Sequence, residues 1–335
     1  MSEDITDELR QMARAKAKPQ DPAQCPSATP DFSAALLTAK ALVALKMEQR
    51  PALLGAWMKK GDFGFLFAPR GAGKSWMAML IGNAIAEGVA LGEWQAGECP
   101  RAVYYFDAEM NLADVQERAR MIGIASDRFH WLSNERLFHT GGSSVNIAEP
   151  GHQEALSKML PNDSVFIIDN LSTAQLGMEE NNNDSFDQIR DWLLSLRHRG
   201  ITVLIVHHAG RNGAMRGSSR REDMAHWIIS LKDDSAEDGP AKAFTTSFAK
   251  IRNCRATEAP ALKWELHTQG AGMTITCKTH SGAEALLAHI RDGIVKNTEL
   301  ASLLNVEPGT VSRWANKLMK AGLVTKDGRD YAAIP

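Results

Sequence analysis

The sequence has few cysteines and no long apolar run, and each shortage excludes a class of protein. The four cysteines among 335 residues are scattered without any C-x-x-C pair, which argues against a zinc site or a disulfide framework and suits a reducing compartment. No apolar run approaches the ~20 residues that span a bilayer. The acidic start MSEDITDELR lacks the apolar region of a signal peptide. We therefore expect a soluble, cytoplasmic protein with no membrane partner.

An excess of charge of one sign is also lacking. The 38 basic and 40 acidic residues give a formal net charge of −2, so any surface that binds nucleic acid must be local. Hydrophobic residues make up 44% and charged residues 23% of the chain, and these ordinary values argue against a disordered, collagen-like or coiled-coil protein. The length fits about two domains of ~100–200 residues each.

The pattern along the chain predicts three parts. Residues 1–50 begin with a flexible, proline-containing stretch that is too poor in apolar residues to fold alone. Within this part, residues 34–48 favour a helix that docks on the main domain or on a neighbouring subunit. Residues 51–280 alternate apolar runs with helical stretches, which predicts an α/β domain with a mainly parallel sheet. Residues 284–335 read helix, helix, helix and hairpin, the order of a winged helix-turn-helix domain.

The predicted elements of the central domain come from this alternation. Its last strands read as an antiparallel extension of the sheet. The predicted strands are 63–68, 102–107, 165–169, 201–207, 227–231, 244–251, 262–266 and 273–277, and the predicted helices are 75–87, 112–122 and 184–199.

The most informative segment is FGFLFAPRGAGKSW over residues 63–76, where an apolar strand runs through a glycine-rich loop into a helix. Such a loop points successive N–H groups at a phosphate, its lysine reaches the β/γ oxygens and its serine hydroxyl ligates Mg²⁺. The strict pattern G-x-x-x-x-G-K-S/T has glycine at the position of Ala68, which is a departure. The segment predicts a nucleotide site formed by Pro69, Arg70, Gly71, Ala72, Gly73, Lys74, Ser75 and Trp76.

Hydrolysis at such a loop needs an acid for the metal and a base that orients the attacking water. The apolar run SVFIID ends in Asp169, which predicts a metal site formed by Ser75 and Asp169. An acid at a strand end can also be a simple helix cap. The run YYFDAE ends in Glu109, directly after another strand, and we expect Glu109 to be the base, with Asp107 as the competing candidate.

These stretches together resemble RecA/DnaB-type ATPases, in which the base follows the strand next to the P-loop strand. They resemble more closely the plasmid-encoded RepA-type hexameric replicative helicases, a family that tolerates loss of the first P-loop glycine. The resemblance spans roughly residues 55–255, but the loop between Met215 and Arg216 is shortened, and the winged helix is outside the minimal family plan. The matching stretches are APRGAGKS (68–75), YYFDAE (104–109), IIDN (167–170), MEEN (178–181), VHHAGRNGAM (206–215) and RGSS (216–219).

The resemblance assigns roles to two further groups of residues. It implies that His207 or His208 senses the γ-phosphate, although a structural histidine remains the alternative and no cluster of suitable spacing supports a metal site. The stretch FAKIRN resembles the K-x-R finger strand of DnaB-type motors. Lys250 and Arg252 share one face of this strand and would point at a neighbour's γ-phosphate, where such a finger contributes ~10³–10⁵ in rate. Arg216 competes for this role, and an exposed edge with two cations is the plain alternative.

Two regions are candidates for contact with DNA. By resemblance, the arginine-rich loop after residue 210 faces a ring channel and tracks a single strand without reading bases, although a solvated loop is the alternative and no aromatic platform is visible. In the winged helix the third helix would enter a major groove and the wing tip would lie beside the backbone, although such domains also bind proteins. The predicted contacts are Arg211, Arg220 and Arg221 in the loop, and Thr310, Ser312, Arg313, Asn316, Lys317 and Arg329 in the winged helix.

The sequence as a whole predicts a Mg²⁺-dependent ATPase with an α/β, RecA-like P-loop NTPase core and a small C-terminal winged helix-turn-helix domain. The resemblance implies a hexameric DNA motor, a replicative helicase of a plasmid, phage or other mobile element. A rival hypothesis is an ATP-gated DNA-binding regulator or loader that does not unwind DNA. A third is a defence or partner-recruiting ATPase. Unwinding of a forked duplex separates the first two hypotheses.

Overall fold

The computed structural model describes residues 32–175, 183–210, 215, 219–236, 241–304, 306–328 and 330–334. The chain divides into two units, Met1–Gln49 and Arg50–Pro335. In the first unit the described helix is α1 (Ala39–Ala44), which begins where the Thr38 hydroxyl accepts a hydrogen bond from the Ala41 N–H. The sequence predicted a longer helix, over residues 34–48, and the structure corrects that prediction to Ala39–Ala44. A helix of six residues with no buried side chain has too few internal hydrogen bonds to extend by propensity alone.

The second unit is built on a mixed sheet whose described strands have the order β11-β10-β9-β8-β3-β7-β6-β4-β5. The strands from β3 to β8 pair in parallel, and β9 to β11 extend the sheet in antiparallel pairing. This arrangement confirms the predicted sheet class. The strands are β1 (Ala52–Leu54) and β2 (Met58–Lys59), which form a separate hairpin, then β3 (Phe63–Ala68), β4 (Val103–Asp107), β5 (Phe129–Ser133), β6 (Val165–Asp169), β7 (Thr202–His208), β8 (Trp227–Asp233), β9 (Ala241–Ile251), β10 (Leu262–Gln269) and β11 (Gly272–Thr279).

Apolar cores cover both faces of this sheet. Alternate residues of β3 point to opposite faces, so that Leu66 packs into the core on one side and Phe65 into the core on the other. Burial on both faces is the reason that the central strands are continuous apolar runs. The described helices of this part are α2 (Lys74–Glu87), α3 (Leu112–Ile122), α4 (Asn134–His139), α5 (Pro150–Met159), α6 (Leu171–Ala174), α7 (Asn183–His198) and α8 (Ser219–Met224).

The C-terminal elements have a core of their own, to which Leu286, Leu300 and Val311 contribute. They are α9 (Gly282–Arg291), α10 (Asn297–Leu303), α11 (Pro308–Lys320), β12 (Val324–Asp327) and β13 (Asp330–Ala333). Asp327 pairs with Asp330 across the hairpin. This order confirms the predicted winged helix. Across the described part of the chain, each helix is too short or too polar to cross a membrane.

Candidate functional site

A cleft of about 420 Å³ lies at the carboxyl edge of the parallel strands. Chain segments that leave neighbouring parallel strands meet at this edge, where ligands of open α/β sheets bind. The cleft is lined by residues from the loop after β3 and the start of α2, from the ends of β4, β6 and β7, from α3 and from the start of β9. They are Arg70, Gly71, Gly73, Lys74, Ser75, Trp76, Glu109, Met110, Arg118, Asp169, Asn170, His208 and Lys242.

The backbone of the loop after β3 requires its glycines. Gly71 and Gly73 have φ values of +76° and +100°, a region that residues with a Cβ rarely adopt. A Cβ on Gly73 would also lie 3.0 Å from the Phe244 ring. Ala68, at the position of the missing glycine, is fully buried as the last residue of β3. Of the predicted loop residues, Pro69 and Ala72 stand outside the lining of the cleft.

The Lys74 ammonium group is held on the inside of the loop. Its Nζ donates hydrogen bonds to the carbonyl oxygens of Ala68 at 3.0 Å and Pro69 at 2.8 Å. Burial lowers the pKa of Lys74, and the charges of Asp169 and Glu109 oppose that effect. The amine therefore lies on the inner side of the loop near two carboxylates, where a bound phosphate would meet it.

Ser75 and Asp169 form a pair of oxygen ligands that suits Mg²⁺. The two side chains are hydrogen-bonded to each other, and the Asp169 carboxylate also accepts a hydrogen bond of 2.6 Å from the Tyr105 hydroxyl. Burial raises the pKa of Asp169, while these two hydrogen bonds oppose the rise. A hydroxyl and one carboxylate, with substrate phosphates completing the shell, is the donor set that Mg²⁺ commonly uses.

The acidic residue that ends β4 and the one that follows the strand occupy different environments. Asp107 is buried, and its Oδ1 accepts hydrogen bonds from the backbone N–H groups of Glu109 at 3.0 Å and Met110 at 2.8 Å. Burial raises the pKa of Asp107 to about 6. Glu109 instead lines the cleft and accepts a hydrogen bond from the Asn170 side-chain amide. Asp107 thus holds the turn that presents Glu109, and Glu109 is the residue placed for contact with a ligand.

The two histidines at the end of β7 are separated by the fold. His208 lines the cleft beside Lys74 and Glu109. His207 is fully buried, and its Nε2 lies 3.0 Å from a terminal nitrogen of Arg221. Of the two candidates for a γ-phosphate sensor, His208 is the one that can reach a nucleotide in the cleft.

The candidate finger residues lie near the end of β9, with Lys250 inside the strand and Arg252 just after it, and both stand outside the lining of the cleft. Lys250 donates hydrogen bonds to the carbonyl oxygens of Glu222 and Asp223, and Arg252 donates one of 2.7 Å to Asp223. Both side chains therefore contact the last turn of α8. The competing finger candidate, Arg216, lies outside the described residues.

The predicted DNA-contacting loop is described in part. Arg211 lies outside the described residues, as does the side chain of Arg220. Arg221 is only 1% exposed, because its guanidinium packs against His207 and over the Phe186 ring. This burial corrects the sequence prediction, and Arg221 leaves the set of candidate DNA contacts.

The third helix of the winged domain presents a cationic face. Arg313, Asn316 and Lys317 are exposed on α11, and Thr310 accepts a hydrogen bond of 2.8 Å from Arg313. The Ser312 hydroxyl accepts a hydrogen bond of 3.0 Å from the Asn297 side chain. Ser312 therefore faces α10 rather than the open side of the helix, and this corrects its assignment to the DNA surface. Arg329 lies outside the described residues.

Several residues of the site have no distinctive pattern in the sequence. Tyr105, which is buried behind the cleft, and Asn170, which lines it, stand inside the YYFDAE and IIDN stretches, but only the folded structure shows that they contact Asp169 and Glu109. Arg118, whose guanidinium lies 5.2 Å from the centre of the Trp76 ring, enters from α3. Lys242 enters from the antiparallel strand β9, which has no fixed spacing to the loop in the sequence.

Comparison with known proteins gives two family matches. A family model described as "AAA domain" matches residues 27–214, which is more than half of the chain. A model of the MarR family matches residues 290–328, within the winged helix.

Two solved structures are similar to the chain. The flagellar accessory protein FlaH from Methanocaldococcus jannaschii is 9% identical at a TM-score of 0.45, over 64% of this chain and 89% of its own. The KaiC-like protein PH0186 from Pyrococcus horikoshii OT3 is 16% identical at a TM-score of 0.41, over 65% of this chain and 90% of its own.

Proposed function

This chain belongs to the AAA-domain family, and from that premise we propose that it is an ATP-hydrolysing, oligomeric DNA motor. The proposed activity is that of a RepA-like replicative DNA helicase of a plasmid, phage or other mobile element. The P-loop ATPase family and the C-terminal domain matched by the MarR model support the two halves of this proposal, nucleotide use and DNA binding.

The observation that carries the proposal is the convergence of five side chains in one cleft. Lys74 and Ser75 come from the loop after β3, Glu109 and Asp169 from the ends of β4 and β6, and His208 from the end of β7. A phosphate-binding cation, a metal-ligand pair, a carboxylate base and a sensor are the parts that phosphoryl transfer to water requires.

Each of these side chains has a role that its surroundings support. The loop N–H groups and Lys74 hold the triphosphate, while Ser75 and Asp169 hold Mg²⁺, which neutralises phosphate charge when bound. Glu109 orients the attacking water and accepts its proton, since Asn170 and the turn at Asp107 fix its carboxylate at the cleft. His208 lies where a γ-phosphate would be sensed.

The proposed motor shares each active site between subunits. Lys250 in β9 and Arg252, which follows the last residue of β9, both stand outside the lining of their own cleft. A neighbouring cleft is where such a pair would stabilise transition-state charge. In a ring, proposed as a hexamer, Arg211, Arg216 and Arg220 would face a channel that holds a single strand. The exposed cations of α11 would hold duplex DNA.

A second candidate function is favoured by the winged helix. The MarR-family match and the exposed Arg313 and Lys317 fit a domain that binds a duplex. In that case ATP binding assembles a DNA-bound regulator or loader, and no strand separation follows.

Unwinding of a forked duplex, with ATP and Mg²⁺, separates these two functions. The motor predicts strand separation that stops in Glu109→Gln while this variant still binds ATP. Absence of unwinding together with ATP-dependent binding of one duplex sequence would support the regulator and overturn the motor.

A further inference from the structure

The last turn of α8 accepts hydrogen bonds from both finger candidates, Lys250 and Arg252. Lys250 donates to the carbonyl oxygens of Glu222 and Asp223, and Arg252 donates to that of Asp223 at 2.7 Å. The last carbonyls of a helix lack partners within the helix and carry partial negative charge, so they attract cations. We call these two carbonyl groups the finger seat.

The finger seat holds the two cations through neutral carbonyl oxygens. Among the ion pairs of the described residues, none includes Lys250 or Arg252. Burial lowers the pKa of Lys250, the nearby charge of Arg252 lowers it further, and the charges of Asp223 and Glu222 oppose these effects. A phosphate oxygen is a stronger hydrogen-bond acceptor for both groups than a neutral carbonyl. The pair is therefore positioned by the seat and remains available to an anionic ligand.

Arg221 attaches the same helix to the strand that ends in the cleft. Its guanidinium is 1% exposed, lies over the Phe186 ring at 5.6 Å, and has a terminal nitrogen 3.0 Å from His207 Nε2. Arginine can only donate, so Nε2 accepts and the His207 proton is on Nδ1. His207 directly precedes His208, which lines the cleft. One buried contact thus links the nucleotide side of a subunit to its finger seat.

We infer that Arg221 is a positioning residue for the neighbouring subunit's active site. By anchoring α8 to His207, it fixes the seat from which Lys250 and Arg252 are presented. The inference rests on the proposed function, in which the fingers act across the subunit boundary. Arg221 is absent from the lining of its own cleft, so its loss affects the site that receives the fingers and leaves ATP binding in its own subunit intact.

Mixing of variant subunits tests this inference. Arg221→Gln alone should lower kcat by ~10–100-fold, the cost of misplacing a catalytic group by about 1 Å, with KM for ATP within twofold. A mixture of Arg221→Gln and Glu109→Gln subunits should regain ATPase activity, because the Glu109→Gln subunits carry intact fingers. A mixture of Arg252→Ala and Glu109→Gln subunits should regain activity for the same reason. A mixture of Arg221→Gln and Arg252→Ala subunits should regain none, because both variants lack a usable finger. The matched control is Arg190→Gln on the exposed side of α7, which should retain full activity alone.

The outcomes separate this inference from the proposed function. If Arg252→Ala is rescued by Glu109→Gln and Arg221→Gln is not, Arg221 acts on its own site or on folding, and the inference is overturned while the shared site stands. If neither is rescued, the shared site itself fails. An unchanged kcat in Arg221→Gln also overturns the inference. If Arg221→Gln does not fold, Arg221→Lys, which keeps the buried charge but loses the planar fork, must show the same pattern of rescue.

Discussion

At the residue scale, the Tyr105 hydroxyl sets the state of the proposed metal ligand. It donates a hydrogen bond of 2.6 Å to the buried Asp169 carboxylate, whose pKa burial raises. The hydrogen bond stabilises the ionised form that binds a metal. We therefore expect Tyr105, which touches the proposed metal ligand rather than the metal, to influence how well the site holds Mg²⁺.

Tyr105→Phe should weaken Mg²⁺ binding by ~10–100-fold, the usual cost of losing such a partner. The measurement is the Mg²⁺ dependence of ATP hydrolysis at saturating ATP. Tyr104→Phe is the matched control, because Tyr104 points to the opposite face of β4 and stacks on His130 at 4.6 Å. Equal Mg²⁺ dependence in the two variants would contradict the role of Tyr105.

A second prediction concerns the backbone of the phosphate-binding loop. Gly73 has a φ of +100°, and a Cβ there would lie 3.0 Å from the Phe244 ring. Gly73→Ala should weaken ATP binding about tenfold or more, since the left-handed region alone costs roughly 1–2 kcal/mol. Titration with a fluorescent ATP analogue measures this. Gly151→Ala, where a Cβ meets no atom within 4 Å, should bind as the unmodified chain does, and unchanged binding in Gly73→Ala would argue against this loop as the phosphate site.

At the element scale, the sequence predicts best those site residues that are close together along the chain. The phosphate loop is contiguous with β3 and α2, so its residues could be identified without a fold. Asp169 ends an apolar strand and Glu109 follows the end of another, and parallel pairing brings such ends together. Lys242 and Arg118 could not be predicted, because they reach the cleft from β9 and α3 through tertiary packing.

The elements missed in the sequence are those with weak local patterns. Strand β5 lies at the edge of the sheet, and its exposed His130 interrupts the apolar run. Helix α5 has one buried residue, Leu156, and gives little helical periodicity. At residues 34–48 the sequence predicts too much helix. The composition favours a helix along the whole segment, whereas α1 has only six residues. Burial and long-range pairing decide these cases rather than propensity.

Helix α11 carries the prediction for duplex binding. Arg313 and Lys317 are exposed on one helix, and each contact with a phosphate contributes about one unit to the salt dependence of binding. The double variant Arg313→Ala/Lys317→Ala should bind a labelled duplex ~10-fold more weakly, with a salt slope lower by about two. Fluorescence anisotropy at several salt concentrations measures both quantities.

The matched control for α11 is Lys158→Ala, an exposed lysine on α5 that pairs with Glu154. This variant should leave duplex affinity and salt slope unchanged. If the α11 variant behaves as the control does, the winged helix binds a partner other than DNA.

At the scale of the whole molecule, the proposed shared site would be complete only when two copies meet. Under this proposal each subunit supplies the loop, the metal ligands and Glu109 in its own cleft, while Lys250 and Arg252, which contact α8, stand outside the lining of that cleft. Hydrolysis should therefore depend on assembly as well as on substrate. The sequence could indicate this arrangement only through the K-x-R pattern, since a single chain records no neighbour.

The most direct test of the shared site is the ATPase rate per subunit as a function of protein concentration, at saturating ATP and Mg²⁺, with light scattering in the same samples. A site shared between subunits predicts a rate that is low in dilute samples and rises to a plateau as oligomers form. A monomer that hydrolyses ATP at the same full rate at every concentration would contradict it.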